Sequence, residues 1–194
     1  MNRKVMVCAM AASFLTGFGC AAQEQNQPKV TVEPARILVV YYSYSGNTKF
    51  AAEQIQKATG GTLAEIKPIK AYSPDYKTCV DQAKKEIKDG IKPKITVNVD
   101  DIKKYDVIFV GSPNWWSTIA PPVASFLSNY DLAGKIVIPF VTHGGGGMAR
   151  CESDLRKLCP KSNVLKGGAF SGGGIRQAGE SLAKFVNERV TLKK

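Results

Sequence analysis

Three hydroxyls and one glycine stand together in the stretch Ser43-Tyr44-Ser45-Gly46-Asn47-Thr48. Small donors on a backbone free to turn can surround a phosphate without adding charge of their own. The flanking residues say how such a loop would be held. Residues 37–42, Ile-Leu-Val-Val-Tyr-Tyr, are apolar without alternation, the pattern of a strand buried on both faces. Residues 49–58, Lys-Phe-Ala-Ala-Glu-Gln-Ile-Gln-Lys-Ala, read as a helix. A buried strand thus ends in a hydroxyl-rich loop that opens a helix. Helix N-termini present unpaired N–H groups and the positive end of the dipole, and both favour an anion. The plainer reading of the same residues is an N-cap and a turn.

Two other phosphate loops fail here. A dinucleotide fingerprint needs three glycines spaced G-x-G-x-x-G, and this loop has Gly46 alone. A P-loop needs G-x-x-x-x-G-K-[ST], whereas the order here is Gly46-Asn47-Thr48-Lys49. What the stretch does resemble is the flavodoxin loop, a [ST]-x-[ST]-G-x-T cradle for the monophosphate of FMN, matched at every specified position. The resemblance covers about residues 36–190. It implies an FMN-binding electron-transfer protein or, alternatively, an FMN-dependent two-electron reductase of quinones or other small acceptors.

Two further loops carry the same resemblance. Residues 112–117, Ser112-Pro113-Asn114-Trp115-Trp116-Ser117, hold both tryptophans of the chain. A flat indole suits a flat isoalloxazine, since offset stacking adds about 1 kcal/mol beyond burial; the alternative is a tryptophan folded back on the sheet. The loop is similar to the Pro-x-Trp-Trp-Gly loop of short-chain flavodoxins, and no insertion of about twenty residues interrupts the last strand. It departs from that pattern at Ser117, where glycine would more easily take the positive φ of the peptide that turns over beside flavin N5. Residues Thr142-His143-Gly144-Gly145-Gly146-Gly147 resemble the second flavin-flanking loop, with His143 and Gly146 at two serine positions of that family. His143 is the one histidine. Beside the flavin its cation would favour the anionic, fully reduced ring, or it could donate a proton to a substrate, so it is the candidate catalytic residue; otherwise it is a structural hydrogen-bonder. Together Ser117 and His143 would draw the two one-electron potentials toward each other.

The elements around these loops alternate. Strands are expected at 37–42, 62–66, 105–111, 135–141 and 163–170, and helices at 49–58, 77–89, 121–130, 149–158 and 177–190. Such alternation predicts an α/β fold: a flavodoxin-like, five-stranded parallel sheet, order 2-1-3-4-5, with helices on both faces. Ligands of such sheets sit beyond the carboxyl ends of the strands, where all three loops fall.

Residues 1–20 differ in kind. Arg3 and Lys4 precede an apolar run over 5–18, too short to span a bilayer, which reads as a bacterial secretory signal. Cys20 follows Gly19 like the cysteine of a lipobox, although Gly17 stands where leucine is usual. The expectation is an exported cell-envelope protein anchored to the membrane by lipid on Cys20. Residues 21–34 are polar, with two prolines, and read as a tether, so the folded domain spans 35–194.

Composition narrows the rest. One histidine and scattered cysteines predict no metal site. Ser171 lacks the G-x-S-x-G elbow of a serine hydrolase. The net charge is +11, with Lys67, Lys70, Lys77, Lys84, Lys85, Lys88, Lys92 and Lys94 in and around the second helix. That is a solvated face or a surface for anionic lipid or an acidic redox partner. Nucleic acid is not the expected partner of an exported chain.

Overall fold

The computed structural model describes residues 29–193. In chain order the elements are β1 (Val30–Val32), β2 (Ile37–Tyr41), α1 (Asn47–Thr59), β3 (Thr62–Glu65), β4 (Lys67–Pro68), α2 (Tyr76–Asp89), β5 (Ile95–Thr96), β6 (Val107–Trp115), β7 (Thr118–Ile119), α3 (Pro121–Asn129), β8 (Ile136–His143), α4 (Cys151–Leu158), β9 (Asn163–Val164), β10 (Gly168–Ser171), α5 (Gly179–Asn187) and β11 (Val190–Leu192). The central sheet runs β3-β2-β6-β8-β10, and each of these neighbours is parallel.

Every residue of β2 is buried, because helices cover both faces of the sheet. On one face Val39, Phe109, Ile138 and Phe140 pack against Ala52 and Ile55 of α1 and Leu182 and Phe185 of α5. On the other, Leu38, Val40, Ile108 and Val110 pack with Cys79 of α2, Phe126 of α3 and Leu155 of α4. Each of the larger side chains, Val, Leu, Ile and Phe, contributes about 1.5–3 kcal/mol by leaving water. Gly111 sits where β6 passes between Tyr41 and Phe140. A Cβ there would meet the Phe140 ring at 2.3 Å and Tyr41 Cβ at 2.8 Å, so only glycine lets the strands close.

The helices start and stop for local reasons. Asp75 caps α2, its carboxylate accepting the Thr78 N–H at 2.9 Å. α1 and α2 end on Gly60 and Gly90 in the left-handed conformation. Pro121 opens α3, where a missing N–H costs nothing.

The tether reading needs correction at its end. Val30–Val32 pairs in parallel with Val190–Leu192, and Val32 and Val190 are both buried. Alternating Val30 and Val32 thus find an edge supplied by the far end of the chain, and ordered structure begins before residue 35. The signal segment, Cys20 and residues 21–28 of the expected tether lie outside the described residues. The stretch expected as a loop at 112–117 also differs. β6 continues to Trp115 and folds back on β7, Asn114 pairing with Ile119 and Trp115 with Thr118. The fifth strand is split into β9 and β10. Between them Glu152 accepts the Gly167 N–H at 2.8 Å, and Arg189 Nε donates to the Lys166 carbonyl at 2.8 Å.

Candidate functional site

Four turns gather at the carboxyl end of the sheet. They are residues 43–46 after β2, 116–117 after β6, 144–150 after β8 and 172–178 after β10. Register fixes their spacing: Pro113 lies beside Thr142, Thr142 beside Phe170, and His143 beside Ser171. Thr48 in the first turn of α1 shares a hydrogen bond of 2.7 Å with Thr142, both hydroxyls buried, and this ties the helix start to the strand end.

The first turn leaves donors open. Gly46 takes φ +83 as the N-cap of α1, a conformation that favours glycine, and no side chain caps the helix. Ser43 Oγ is buried with no hydrogen-bond partner among the described residues. An unmade bond at a buried hydroxyl costs about 1–3 kcal/mol unless something outside the chain makes it. Ser45 is exposed, and Asn47 begins the helix. The contrast with α2, whose N-terminus is closed by Asp75, is direct. Tyr44 instead anchors the turn laterally, its OH donating to the Ser73 carbonyl at 2.8 Å.

The tryptophan hairpin is stitched into the protein. Ser112 Oγ donates to the Pro113 carbonyl at 2.8 Å and accepts the Ala120 N–H at 2.9 Å, so its hydroxyl is used internally. Asn114 Nδ2 donates to the Gly147 carbonyl at 2.8 Å, and the Arg150 N–H donates to the Ser117 carbonyl at 2.9 Å. These bonds hold the two flanking loops against each other. Trp115 is half-buried and edge-on to Tyr42, Tyr44 and Tyr72, with centroids 5.1–5.9 Å away. Trp116 is 45% exposed. It leans on α2, its Nε1 donating to the Val80 carbonyl at 3.1 Å and Lys84 Nζ lying 4.6 Å from its ring centre. The turn between the strands is Trp116 at φ +52 and Ser117 at φ +66. Two positive φ values make it the primed hairpin type, here without the glycine or asparagine that usually carries it.

In the glycine loop Gly144, Gly145 and Gly146 are exposed. His143 Nδ1 accepts the Gly145 N–H at 3.0 Å, which places the proton of the neutral ring on Nε2. His143 thus shapes its own loop and keeps one donor to spare. Burial pushes up the Tyr42 and Tyr72 hydroxyls, and Glu86 accepting from Tyr72 adds to the second, so both phenols stay neutral. Among the described residues no group of His, Cys, Asp or Glu could hold a metal ion, and no helix is long and apolar enough to cross a membrane.

One neighbour of the site was not among the sequence candidates. The 3-10 segment Gly172–Gln177 packs on the start of α1, and it carries Arg176 to Gly46. The only sequence signal was the glycine run 172–174, which marks a close approach without naming its partner.

Comparison with known proteins agrees with this geometry. The family model described as Flavodoxin matches residues 36–189. A protein of Cupriavidus metallidurans named NAD(P)H dehydrogenase (quinone) is 32% identical over 118 residues, which cover 59% of this chain and 55% of that protein. Its namesake from Azorhizobium caulinodans is 30% identical over 117 residues with the same coverage. The chain therefore spans about half the length of the curated relatives it matches. Among solved structures, a Bacteroides uniformis protein assigned as a flavoprotein has a TM-score of 0.71 at 29% identity, covering 80% of this chain and 99% of that one. A Lactobacillus acidophilus flavoprotein in complex with FMN has a TM-score of 0.61 at 28% identity, covering 74% and 97%.

Proposed function

Since the chain belongs to the flavodoxin family, we propose that it is an electron-transfer protein whose pole at residues 43–48, 112–117 and 142–147 holds FMN. The observation that carries this reading is the open first turn: an uncapped helix start beside a buried, unpartnered Ser43 hydroxyl. These groups fit a phosphate dianion, because hydroxyls and backbone N–H groups are donors to charge and a helix N-terminus adds its dipole. Ser43, Ser45 and Thr48 would hold the phosphate, with Gly46 letting the backbone turn round it. The backbone of the hairpin and of residues 144–146 would line the ring, and Trp115 would close one side. When bound, FMN supplies reversible acceptance of one or two electrons.

A second reading is a two-electron reductase of quinones or similar acceptors, and specific observations favour it. Ser117 holds φ +66 without being glycine, and its Cβ leaves the turn fewer alternative backbone conformations to flip into. His143 keeps Nε2–H free as a donor at the glycine loop. The curated relatives, matched over about half their length, carry the name NAD(P)H dehydrogenase (quinone). A redox titration of the purified, flavin-loaded chain separates the two. Well-spaced one-electron potentials belong to a carrier, and a single two-electron transition belongs to a reductase. Failure to retain or take up FMN refutes both.

The Pro-x-Trp-Trp short-chain branch and the exported, lipid-anchored form belong to the same proposal. They are supported by Trp115 and Trp116 after Pro113, and by Arg3, Lys4, the apolar run and Cys20. Cys20→Ala is expected to release the protein from the membrane fraction, since the acyl chains and not the polar 21–28 segment supply membrane affinity. Absence of palmitate incorporation in wild type contradicts the anchor.

A further inference from the structure

We infer that Arg176 recognises the phosphate and makes this site select a phosphorylated flavin over the unphosphorylated ring system. The inference rests on the FMN reading above and adds a residue from outside its three loops. Arg176 arrives on the 3-10 segment after β10, and that segment is held firmly. Ile175 is fully buried, and a Cβ on Gly172 would come within 2.7 Å of Asn47 Nδ2 and 3.5 Å of the His143 carbonyl. The segment therefore touches the first residue of α1 and the last residue of β8 at once. From there Arg176 reaches back over α1. Its guanidinium lies 4.7 Å from the centre of the Phe50 ring, one turn into the helix. A terminal nitrogen lies 3.7 Å from the position a Gly46 Cβ would take.

Stacking on an aromatic face leaves the N–H groups at the rim of the plane free to donate. No carboxylate uses them: among the described residues Arg176 takes part in no ion pair. An exposed guanidinium, stacked on Phe50 and in no ion pair among the described residues, thus stands beside the uncapped helix start and the left-handed Gly46. Each of these three features favours a dianion, and they converge on one turn. Eight lysines cluster in and around α2, and Lys49 stands exposed in the first turn of α1. Phe50 is a positioning residue here, since its ring seats the guanidinium.

The test uses the full chain freed of flavin and titrated with FMN and with riboflavin by fluorescence quenching. Arg176→Gln is expected to weaken FMN binding roughly 10- to 100-fold, the range for losing a charge-assisted hydrogen bond, and to leave riboflavin binding unchanged. Arg176→Lys should keep part of the preference, Phe50→Ala should lose part of it, and the salt dependence of FMN binding should flatten in Arg176→Gln. Equal FMN affinity in Arg176→Gln and wild type overturns the inference. Equal loss of FMN and riboflavin also overturns it, because the side chain then only supports the fold. If wild type quenches neither flavin, the FMN reading falls and this falls with it.

Discussion

The turn at 43–46 and the hairpin at 112–119 stand at the same pole of one sheet, yet they spend their polar groups in opposite ways. In the first, Ser43 Oγ has no partner, Ser45 faces solvent and the helix start is uncapped. In the second, Ser112, Asn114, Trp116 and Thr118 all give or accept hydrogen bonds within the chain, Thr118 Oγ1 donating to Asp154 at 2.8 Å. Open donors are costly unless a ligand uses them, whereas satisfied donors fix a shape. On the reading proposed above, affinity for charge would reside in the first region and the form of the ring site in the second. Substitutions that separate affinity from stability test this division.

The largest effect on stability should come from a position that serves both regions. Gly111→Ala drives a methyl into Phe140 and Tyr41, the strands that lead to the glycine loop and the phosphate turn. Overpacking there is expected to cost about 3 kcal/mol, and thermal melts and FMN titration should fall together. Ser112→Ala should split them. It leaves the buried Ala120 N–H unpaired, at about 1–3 kcal/mol of stability, while FMN affinity stays near wild type. Loss of affinity without loss of stability would place Ser112 among the ligand contacts instead.

A smaller gain is expected from Ser117→Gly. Relieving one left-handed non-glycine residue is worth about 1 kcal/mol, or roughly 2–4 °C in Tm for a chain of this size. The same change should widen the gap between the two one-electron potentials, because the turn can then rearrange. An unchanged melting point and gap would show that the hairpin carries no strain. The smallest effect belongs to the opposite pole. There Arg36 donates to Asp106 and holds its carboxyl below the usual range. A depressed carboxylate contributes stability above its unfolded pKa, and that contribution is lost as pH falls through the folded value. Asp106→Asn should therefore flatten the acid limb of Tm against pH slightly, the pair being half exposed, with FMN affinity unchanged.

Much of this architecture is legible in the chain. The unbroken apolar run at 37–41 announces a strand covered on both faces, and its passage into Ser43-Tyr44-Ser45-Gly46 announces a helix-opening turn. What escapes is what depends on remote partners. Val30 and Val32 form a strand only because Val190–Leu192 offers an edge from the other end of the chain. The hairpin hides because neither Trp116 nor Ser117 is the glycine, asparagine or aspartate that marks a primed turn, so the backbone is imposed by the pairing around them. Ser112 looks like a ligand contact by position, and folding gives it to Ala120. Arg176 lies well over a hundred residues from Gly46, and only the close packing of Gly172 on Asn47 brings them together.

The most direct measurement is a calorimetric titration of FMN into the flavin-free full chain, wild type beside the Ser45→Ala, Thr48→Ala double variant. Each lost hydrogen bond to a charged group is worth about 1.5–3 kcal/mol. The account predicts one FMN per wild-type chain and an affinity roughly 100- to 10,000-fold weaker in the double variant. Unchanged affinity in the double variant would show that residues 43–48 do not hold the cofactor.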